Sequence, residues 1–212
     1  MARVRNGLRG NFSGKIGNVV GSKWKGIDYV RIKPKKVKKV SDRQKEQRSR
    51  FAYATKFMEA TKRLFPESYK NFGDEMTAEN CALSQLLNTA ISGSSPNLYI
   101  DYSQVLMARG NMPVAKNPAV TLSSERINFS WRDNSDTGKA KPDDQVLMVV
   151  YCEALELMYY TIGHGTRSSE KAELFVPEFT DHKVHTWIAF IAADKKDAAP
   201  SVYTGEWNVL VM

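Results

Sequence analysis

From about residue 98 to the end of the chain, apolar residues recur with a period of two. Ile127, Phe129 and Trp131 alternate with polar residues, which is typical of a strand with one face in a core. Turn-forming residues separate short apolar runs at 98–107, 119–122, 127–131, 146–152, 155–162, 171–176, 184–193 and 202–211. Many short strands at this spacing predict an antiparallel β-sandwich over residues 98–212.

Residues 14–31 combine four glycines with β-forming residues and predict a β-hairpin. With the turn at Lys25 and Gly26, Trp24 would lie opposite Ile27 and Lys23 opposite Asp28. Residues 1–13 are expected to form a flexible arm, because chain termini are disordered unless something holds them.

A hairpin of this size is marginally stable alone, so we expect it to dock on another surface. Trp24 is the residue that we expect to fill a pocket, either within the chain or on a partner. The residues assigned to assembly are Gly14, Lys15, Gly17, Val20, Trp24, Gly26, Ile27, Tyr29 and Arg31.

Residues 41–97 show apolar residues at helical spacing and predict two helices. One stripe runs from Phe51 to Phe65 and the other from Leu83 to Ile91. Two helices alone make a thin core, so we expect the hairpin or another chain to complete it.

Sequence signals also mark the ends of these helices. Ser41 and Gln44 have the spacing of a capping box, and Thr77 is expected to cap the second helix. Gly93 is expected to end that helix, with a loop over residues 92–97.

Charge is distributed unevenly along the chain. Residues 1–63 hold 19 Lys/Arg and 4 Asp/Glu, a net of +15, whereas residues 64–212 hold 12 and 19, a net of −7. The stretch 31–40 is especially rich in lysine, and Pro34 keeps it extended. Three interpretations stay open for it: a solvated linker, contact with nucleic-acid phosphates, or contact with an acidic protein surface such as an adjacent copy. The residues assigned to an anionic partner are Lys33, Lys35, Lys36, Lys38, Lys39, Arg43, Arg48 and Arg50.

The sequence carries no pattern that indicates catalysis. It contains no Walker A loop, Gly-x-Gly-x-x-Gly or Gly-x-Ser-x-Gly, so we expect no enzyme, cofactor or small-molecule substrate. His182 and His185 would point to opposite faces of a strand, which argues against a metal site. Two acidic pairs, Asp143/Asp144 and Glu153/Glu156, are expected to be solvated strand ends.

The remaining sequence signals concern the cell compartment. Cys81 and Cys152 are far apart and are expected to be buried, reduced thiols. The first residues lack the apolar run of a secretory signal, and no stretch has the length of a membrane span. These features favour folding in the cytoplasm, without a membrane partner.

The second half resembles a fibronectin type III or immunoglobulin-like module. The resemblance rests on Ile127-Asn-Phe-Ser-Trp131, on Val149-Val-Tyr151 and on Leu174-Phe-Val-Pro177 followed by an aliphatic-aromatic strand from Val184. The resemblance implies such a sandwich for residues 98–212. Together with the patterns described above, we expect an α+β chain with a basic arm, hairpin and lysine linker over 1–40 and a helical segment over 41–97.

The first half resembles an uncharacterised family of small bacterial and bacteriophage proteins. The matching motifs are Gly14-Lys15-Ile-Gly17-Asn18-Val19-Val20, Trp24-Lys25-Gly26 and Val30-Arg31-Ile-Lys-Pro34, followed by a Gln-x-x-Arg-x-x-Phe run that could start at Gln44 or Gln47. Phage members of this group look like virion structural proteins. The resemblance implies a structural role in a head, connector or tail, with copies of itself or other structural proteins as partners. The alternative is a non-sequence-specific nucleic-acid-binding protein that contacts DNA or RNA phosphates through the basic segment.

Overall fold

The computed structural model describes residues 3–4, 12–24, 26–35, 39–72 and 76–210. These residues form a four-stranded N-terminal sheet, a 20-residue helix followed by shorter helices, a two-stranded hairpin, and two antiparallel sheets of three and four strands. The chain divides into two compact units, Met1–Gln44 and Lys45–Met212. This is an α+β chain in which antiparallel strands predominate, as the sequence pattern predicts.

The first unit is a four-stranded antiparallel meander. Its strands are β1 (Arg3–Val4), β2 (Phe12–Ile16), β3 (Val19–Trp24) and β4 (Ile27–Ile32), in the order β1-β2-β3-β4. The predicted register is confirmed, because Trp24 pairs with Ile27 and Lys23 with Asp28. A flexible arm was expected over residues 1–13. Within that range, Arg3 and Val4 are instead paired as strand β1 with Ser13 and Phe12 of β2. Lys25, Lys36 and Lys38 lie outside the described residues.

The helical segment contains α1 (Asp42–Thr61), α2 (Phe65–Ser68) and α3 (Ala78–Gln85). The capping box at α1 is present, since the backbone N–H of Ser41 donates to Gln44 Oε1 (3.1 Å) and that of Gln44 donates to Ser41 Oγ (3.3 Å). Thr77 caps α3 by accepting a hydrogen bond from the Asn80 backbone N–H.

The end of the helical segment differs from the sequence-based expectation. A π-helical turn at Leu86–Ala90 continues α3, and then a hairpin forms from β5 (Ile91–Ser94) and β6 (Asn97–Ile100). The predicted loop over 92–97 is therefore mostly paired strand. Asn97 and Ser94 pair beside the turn, and Gly93 adopts a φ of 86° opposite Leu98.

The remaining strands form two antiparallel sheets. They are β7 (Lys116–Ser123), β8 (Arg126–Arg132), β9 (Gln145–Cys152), β10 (Leu157–Thr166), β11 (Lys171–Phe175), β12 (Lys183–Ile191) and β13 (Val202–Asn208). One sheet has the order β11-β8-β7 and the other β10-β9-β12-β13. The predicted run at 98–107 is strand only as far as Ile100, after which a 3₁₀ turn follows.

Strand β9 is buried on both faces, and this places two cores on either side of one sheet. Val146, Met148 and Val150 meet Ile127 and Phe129 of the other sheet. The alternate residues of β9 face the helices instead, in a cluster that includes Leu147, Val149, Tyr151, Ala54, Phe57 and Phe65. A continuous apolar strand is typical of burial on both faces.

This packing corrects the expectation that the hairpin or another chain completes the helical core. The helices cover the sheet of β9 and β12, where Trp187 donates its Nε1–H to the Val105 carbonyl (3.1 Å). The helical period alone did not reveal this partner, because the matching apolar positions lie about a hundred residues later.

Asp144 is a second correction, because it is buried rather than a solvated strand end. Its Oδ2 accepts from Arg167 Nε at 3.0 Å, and both side chains are inaccessible to solvent. Arg167 comes from a turn that follows β10, so only the tertiary fold brings the pair together.

Candidate assembly surface

The register of the meander places most of the predicted assembly residues on one side of the sheet. Lys15, Val20 and Arg31 form one row across three strands. Trp24 with Ile27 forms a second row, because directly paired residues share a face. We call the side formed by Lys15, Val20, Ser22, Trp24, Ile27, Tyr29 and Arg31 the Trp24 face.

The predicted assembly glycines have different places. Gly17 and Gly26 lie in the two tight turns with φ of 56° and 87°, a region that glycine enters without steric cost. Gly14 pairs with Gly21 on the opposite side of the sheet. The glycines therefore shape the meander, whereas the larger side chains form its surfaces.

The opposite side is largely apolar apart from the Lys23/Asp28 row beside the turn, and it includes residues that the sequence analysis did not single out. Ile16, Val19 and Ile32 form one row, and Gly21 with Val30 forms the next. We call the side formed by Phe12, Gly14, Ile16, Val19, Gly21, Lys23, Asp28, Val30 and Ile32 the Ile32 face. The sequence signal that could have identified this face is Gly21, a glycine within a strand, together with Phe12 on the neighbouring strand.

Phe12 packs directly over Gly21 on the Ile32 face. A Cβ atom added at Gly21 would lie 2.2 Å from the Phe12 carbonyl oxygen and 2.8 Å from two of its ring carbons. Only glycine accommodates this approach of β2 to β3. The ring takes the place of the missing side chain and continues the apolar surface.

Large apolar side chains are exposed on both faces of this sheet. Trp24 is 49% exposed and Ile27 is 70% exposed on the Trp24 face, while Ile32 is 80% exposed on the opposite face. Ile16, Tyr29 and Val30 are also substantially exposed. About half of the Trp24 surface is therefore accessible to a partner, and the pocket that Trp24 is expected to fill stays a prediction. Exposed apolar patches of this kind are typical of interaction surfaces.

The predicted anion-binding residues are only partly available to a partner. Lys33, Lys35, Arg43 and Arg48 are exposed, as is Lys39. Arg50 differs, because its guanidinium donates to the Ile91 carbonyl at 2.6 Å and to that of Gly93 at 3.4 Å. Arg50 therefore holds the β5–β6 hairpin to α1.

The histidine and cysteine residues considered in the sequence analysis include several that are packed in the protein interior. His185 Nδ1 and the Tyr203 hydroxyl share a hydrogen bond of 2.9 Å, and the imidazole ring stacks on the ring of Tyr102. Cys81 and Cys152 are buried free thiols. Among the described residues, no three His, Cys, Asp or Glu side chains are grouped to hold a metal ion. In the same part of the chain, no helix is both long and apolar enough to cross a membrane.

Comparison with known proteins identifies a family and shows weak similarity to solved structures. Residues 11–205 match a family described as "Family of unknown function (DUF6266)". No curated protein matches the chain. A solved structure titled "Myokine structure" aligns with 47% of this chain and 99% of its own at 10% identity, with a TM-score of 0.35. A similarity of that size supports no inference about function.

Proposed function

Because this chain belongs to DUF6266, a family of unknown function, we propose its function from its own geometry. It is a non-enzymatic structural protein that assembles through protein–protein contacts of its N-terminal meander. The observation that carries this proposal is the exposure of large apolar side chains on both faces of one thin sheet. A sheet with short strands gains stability when another surface covers it.

A second copy of the chain is the partner that fits best. Residues 1–63 carry a net charge of +15 and residues 64–212 a net charge of −7, so the two parts of neighbouring copies attract each other. A sheet that exposes large apolar side chains on both faces offers contacts to two neighbours at once. Such contacts extend an assembly beyond a closed dimer.

The proposal includes a fibronectin type III or immunoglobulin-like sandwich for the two C-terminal sheets. It is supported by the shared core of the two sheets and by the orders β11-β8-β7 and β10-β9-β12-β13. A sandwich of this type is a scaffold that carries no activity by itself. The resemblance of the first half to phage proteins makes a virion head, connector or tail the proposed setting.

Light scattering on the purified full-length protein tests the assembly. The variant Val30→Thr/Ile32→Thr keeps β-branched side chains, so the meander retains its strand preference while the Ile32 face becomes polar. The matched control is Leu157→Thr/Tyr159→Thr, which changes two exposed apolar residues of β10 in the second unit. We expect the wild type and the control to assemble with rising concentration and the first variant to remain smaller.

Two outcomes contradict the proposal. One is a wild-type protein that stays monomeric at all concentrations and at low salt. The other is an equal loss of assembly in the β10 control, because the meander would then have no special part in it.

The second candidate function is sequence-independent nucleic-acid binding. It is favoured by the exposure of Lys33, Lys35, Lys39, Arg43 and Arg48. Lysine binds phosphate as a point charge and has little preference for particular bases.

A further inference from the structure

The second unit contains a pocket that the proposed assembly function does not use. It has a volume of about 250 Å³ and lies where α1 and the residues after β6 and β9 come together. Its walls include Tyr53, Phe57, Tyr102, Tyr151, Glu153 and Glu156. The pocket therefore combines aromatic rings with two carboxylates.

The aromatic walls are held by the core behind them. The rings of Phe57 and Tyr151 meet edge to face with centroids 5.0 Å apart, and both residues are buried. Tyr102 lies 5.8 Å from Tyr151 and stacks on His185 at 3.8 Å. These contacts fix the ring positions before any ligand enters, which lowers the entropy that binding must overcome.

The charges around the pocket have a net negative sign. Lys56 forms an ion pair with Glu156 at the rim, so its charge is matched. Glu153 is the remaining carboxylate of the lining. Burial raises the pKa of Tyr102 and of Tyr151, and the charge of Glu153 raises both further. The tyrosines therefore stay neutral, and the pocket keeps the single negative charge of Glu153.

We infer that this pocket binds an alkylammonium group. Aromatic faces attract an organic cation through their quadrupole, and a nearby carboxylate supplies the counter-charge. An anion would be repelled by Glu153, and a neutral group would gain no attraction from this carboxylate. The volume suits the end of a lysine side chain better than a drug-sized ligand.

Two sources can present this group, and the inference does not depend on the proposed assembly function. One source is the basic segment of another copy, in which Lys33, Lys35 and Lys39 are exposed. The other is a free amine. Both sources present an alkylammonium group. They are distinguished by comparing the affinity of a peptide with that of a free amine.

Calorimetric titration of the full-length protein tests the inference with three probes. They are butylammonium chloride, n-butanol as a neutral control of similar size, and a synthetic peptide of residues 31–40. We expect saturable binding of butylammonium and none of butanol. A peptide that binds much more tightly identifies the basic segment as the source, whereas equal or weaker binding identifies a free amine.

Variants then locate the binding. Tyr53→Leu removes one aromatic wall and should weaken butylammonium binding by about two- to fivefold, while Tyr53→Phe retains the ring and the affinity. Glu153→Gln should weaken it at least as strongly. Glu173→Gln is the matched control, because Glu173 is an exposed carboxylate on β11 outside this pocket.

The inference is overturned if butylammonium does not bind, if butanol binds equally well, or if Glu153→Gln and Glu173→Gln have the same effect. Each variant is checked by thermal unfolding. We expect all of them to fold, because Tyr53 is only partly buried and Glu153 and Glu173 are exposed. Assembly is measured separately by light scattering. A loss of amine binding with normal assembly therefore leaves the proposed function intact.

Discussion

Arg167 is a fully buried cation with a complete set of local partners. Its Nε donates to Asp144 Oδ2 at 3.0 Å, its Nη1 to Asn134 Oδ1 at 2.6 Å and its Nη2 to the Pro113 carbonyl at 3.2 Å. The guanidinium carbon also lies 3.9 Å from the centre of the Phe190 ring. Burial lowers the pKa of Arg167, while Asp144 opposes that change. The network links the loops at one end of the two sheets.

The first prediction concerns this buried pair. Asp144→Asn should lower the free energy of unfolding by about 3–5 kcal/mol, because it leaves the charge of Arg167 buried without a counter-charge. The control is Glu173→Gln, which breaks the exposed pair with Arg126 and should cost less than about 1 kcal/mol. Urea unfolding measures both values. Similar losses in the two variants would contradict the structural role of the buried pair.

His185 provides the second prediction at this scale. Burial lowers the pKa of His185, and the charge of Lys183 lowers it further. The charges of Glu206 and Glu153 raise this pKa, but by less than burial lowers it. A histidine in the unfolded chain has a pKa of about 6.5, so just below that pH the unfolded state binds more protons than the folded state. The free energy of unfolding should therefore fall as the pH decreases below about 6.5.

Chemical unfolding at a series of pH values checks this dependence. His185→Phe should make the free energy of unfolding less dependent on pH in the acidic range, since one titrating group with a shifted pKa is removed. His164→Phe is the control because His164 is exposed. Identical pH profiles for wild type and His185→Phe would show that His185 does not contribute.

At the scale of elements, the meander depends on the close approach of β2 and β3. Gly21 has a backbone conformation that other residues can adopt, so the constraint is space rather than φ. The contact also holds Phe12 on the Ile32 face. The element and its surface are therefore coupled through one glycine.

The third prediction is that Gly21→Ala separates β2 from β3. The added Cβ would lie 2.2 Å from a backbone oxygen, and backbone cannot yield as a flexible side chain does. We expect amide protons of β2 and β3 to exchange faster and assembly to weaken, while melting of the second unit is unchanged. Ser22→Ala is the neighbouring control on the Trp24 face. Unchanged exchange in Gly21→Ala would show that the strands tolerate the extra atom.

At the scale of the whole molecule, two kinds of surface compete to explain the first unit. Its apolar faces favour assembly, and its exposed basic residues favour an anionic partner. The two depend differently on salt, because apolar burial is insensitive to the counterions that phosphate contacts release. Charge substitutions therefore separate the two functions.

The fourth prediction uses the variant in which Lys33, Lys35, Lys36, Lys38 and Lys39 are all changed to Gln. If assembly is the function, this variant should still assemble through its apolar faces, at a higher protein concentration than the wild type because less charge attraction acts between copies, whereas DNA binding by this variant should be lost. If duplex DNA is the partner, wild-type affinity should fall with salt with a log–log slope of roughly −4 to −5, as expected for about five phosphates. Absence of DNA binding at low salt, or a slope near zero, would exclude the nucleic-acid function.

Local patterns in the sequence were sufficient for several elements. The alternation of apolar residues predicted β8, the Lys25-Gly26 turn predicted the pairing of Trp24 with Ile27, and the spacing of Ser41 and Gln44 predicted the capping box. These features depend on residues close together in the chain, where periodicity and turn chemistry act directly. The α+β class follows from the same signals.

Only the tertiary structure decided which surfaces meet. It paired Asp144 with Arg167, placed the helices on the second face of β9, and brought Tyr102, Tyr151 and Glu153 around one pocket. An apolar stripe specifies that a face is buried but not against what, since hydrophobic attraction has no direction. A charged residue likewise has the same sequence signature whether it is solvated or paired. Contacts across many residues therefore became visible only when the chain was folded.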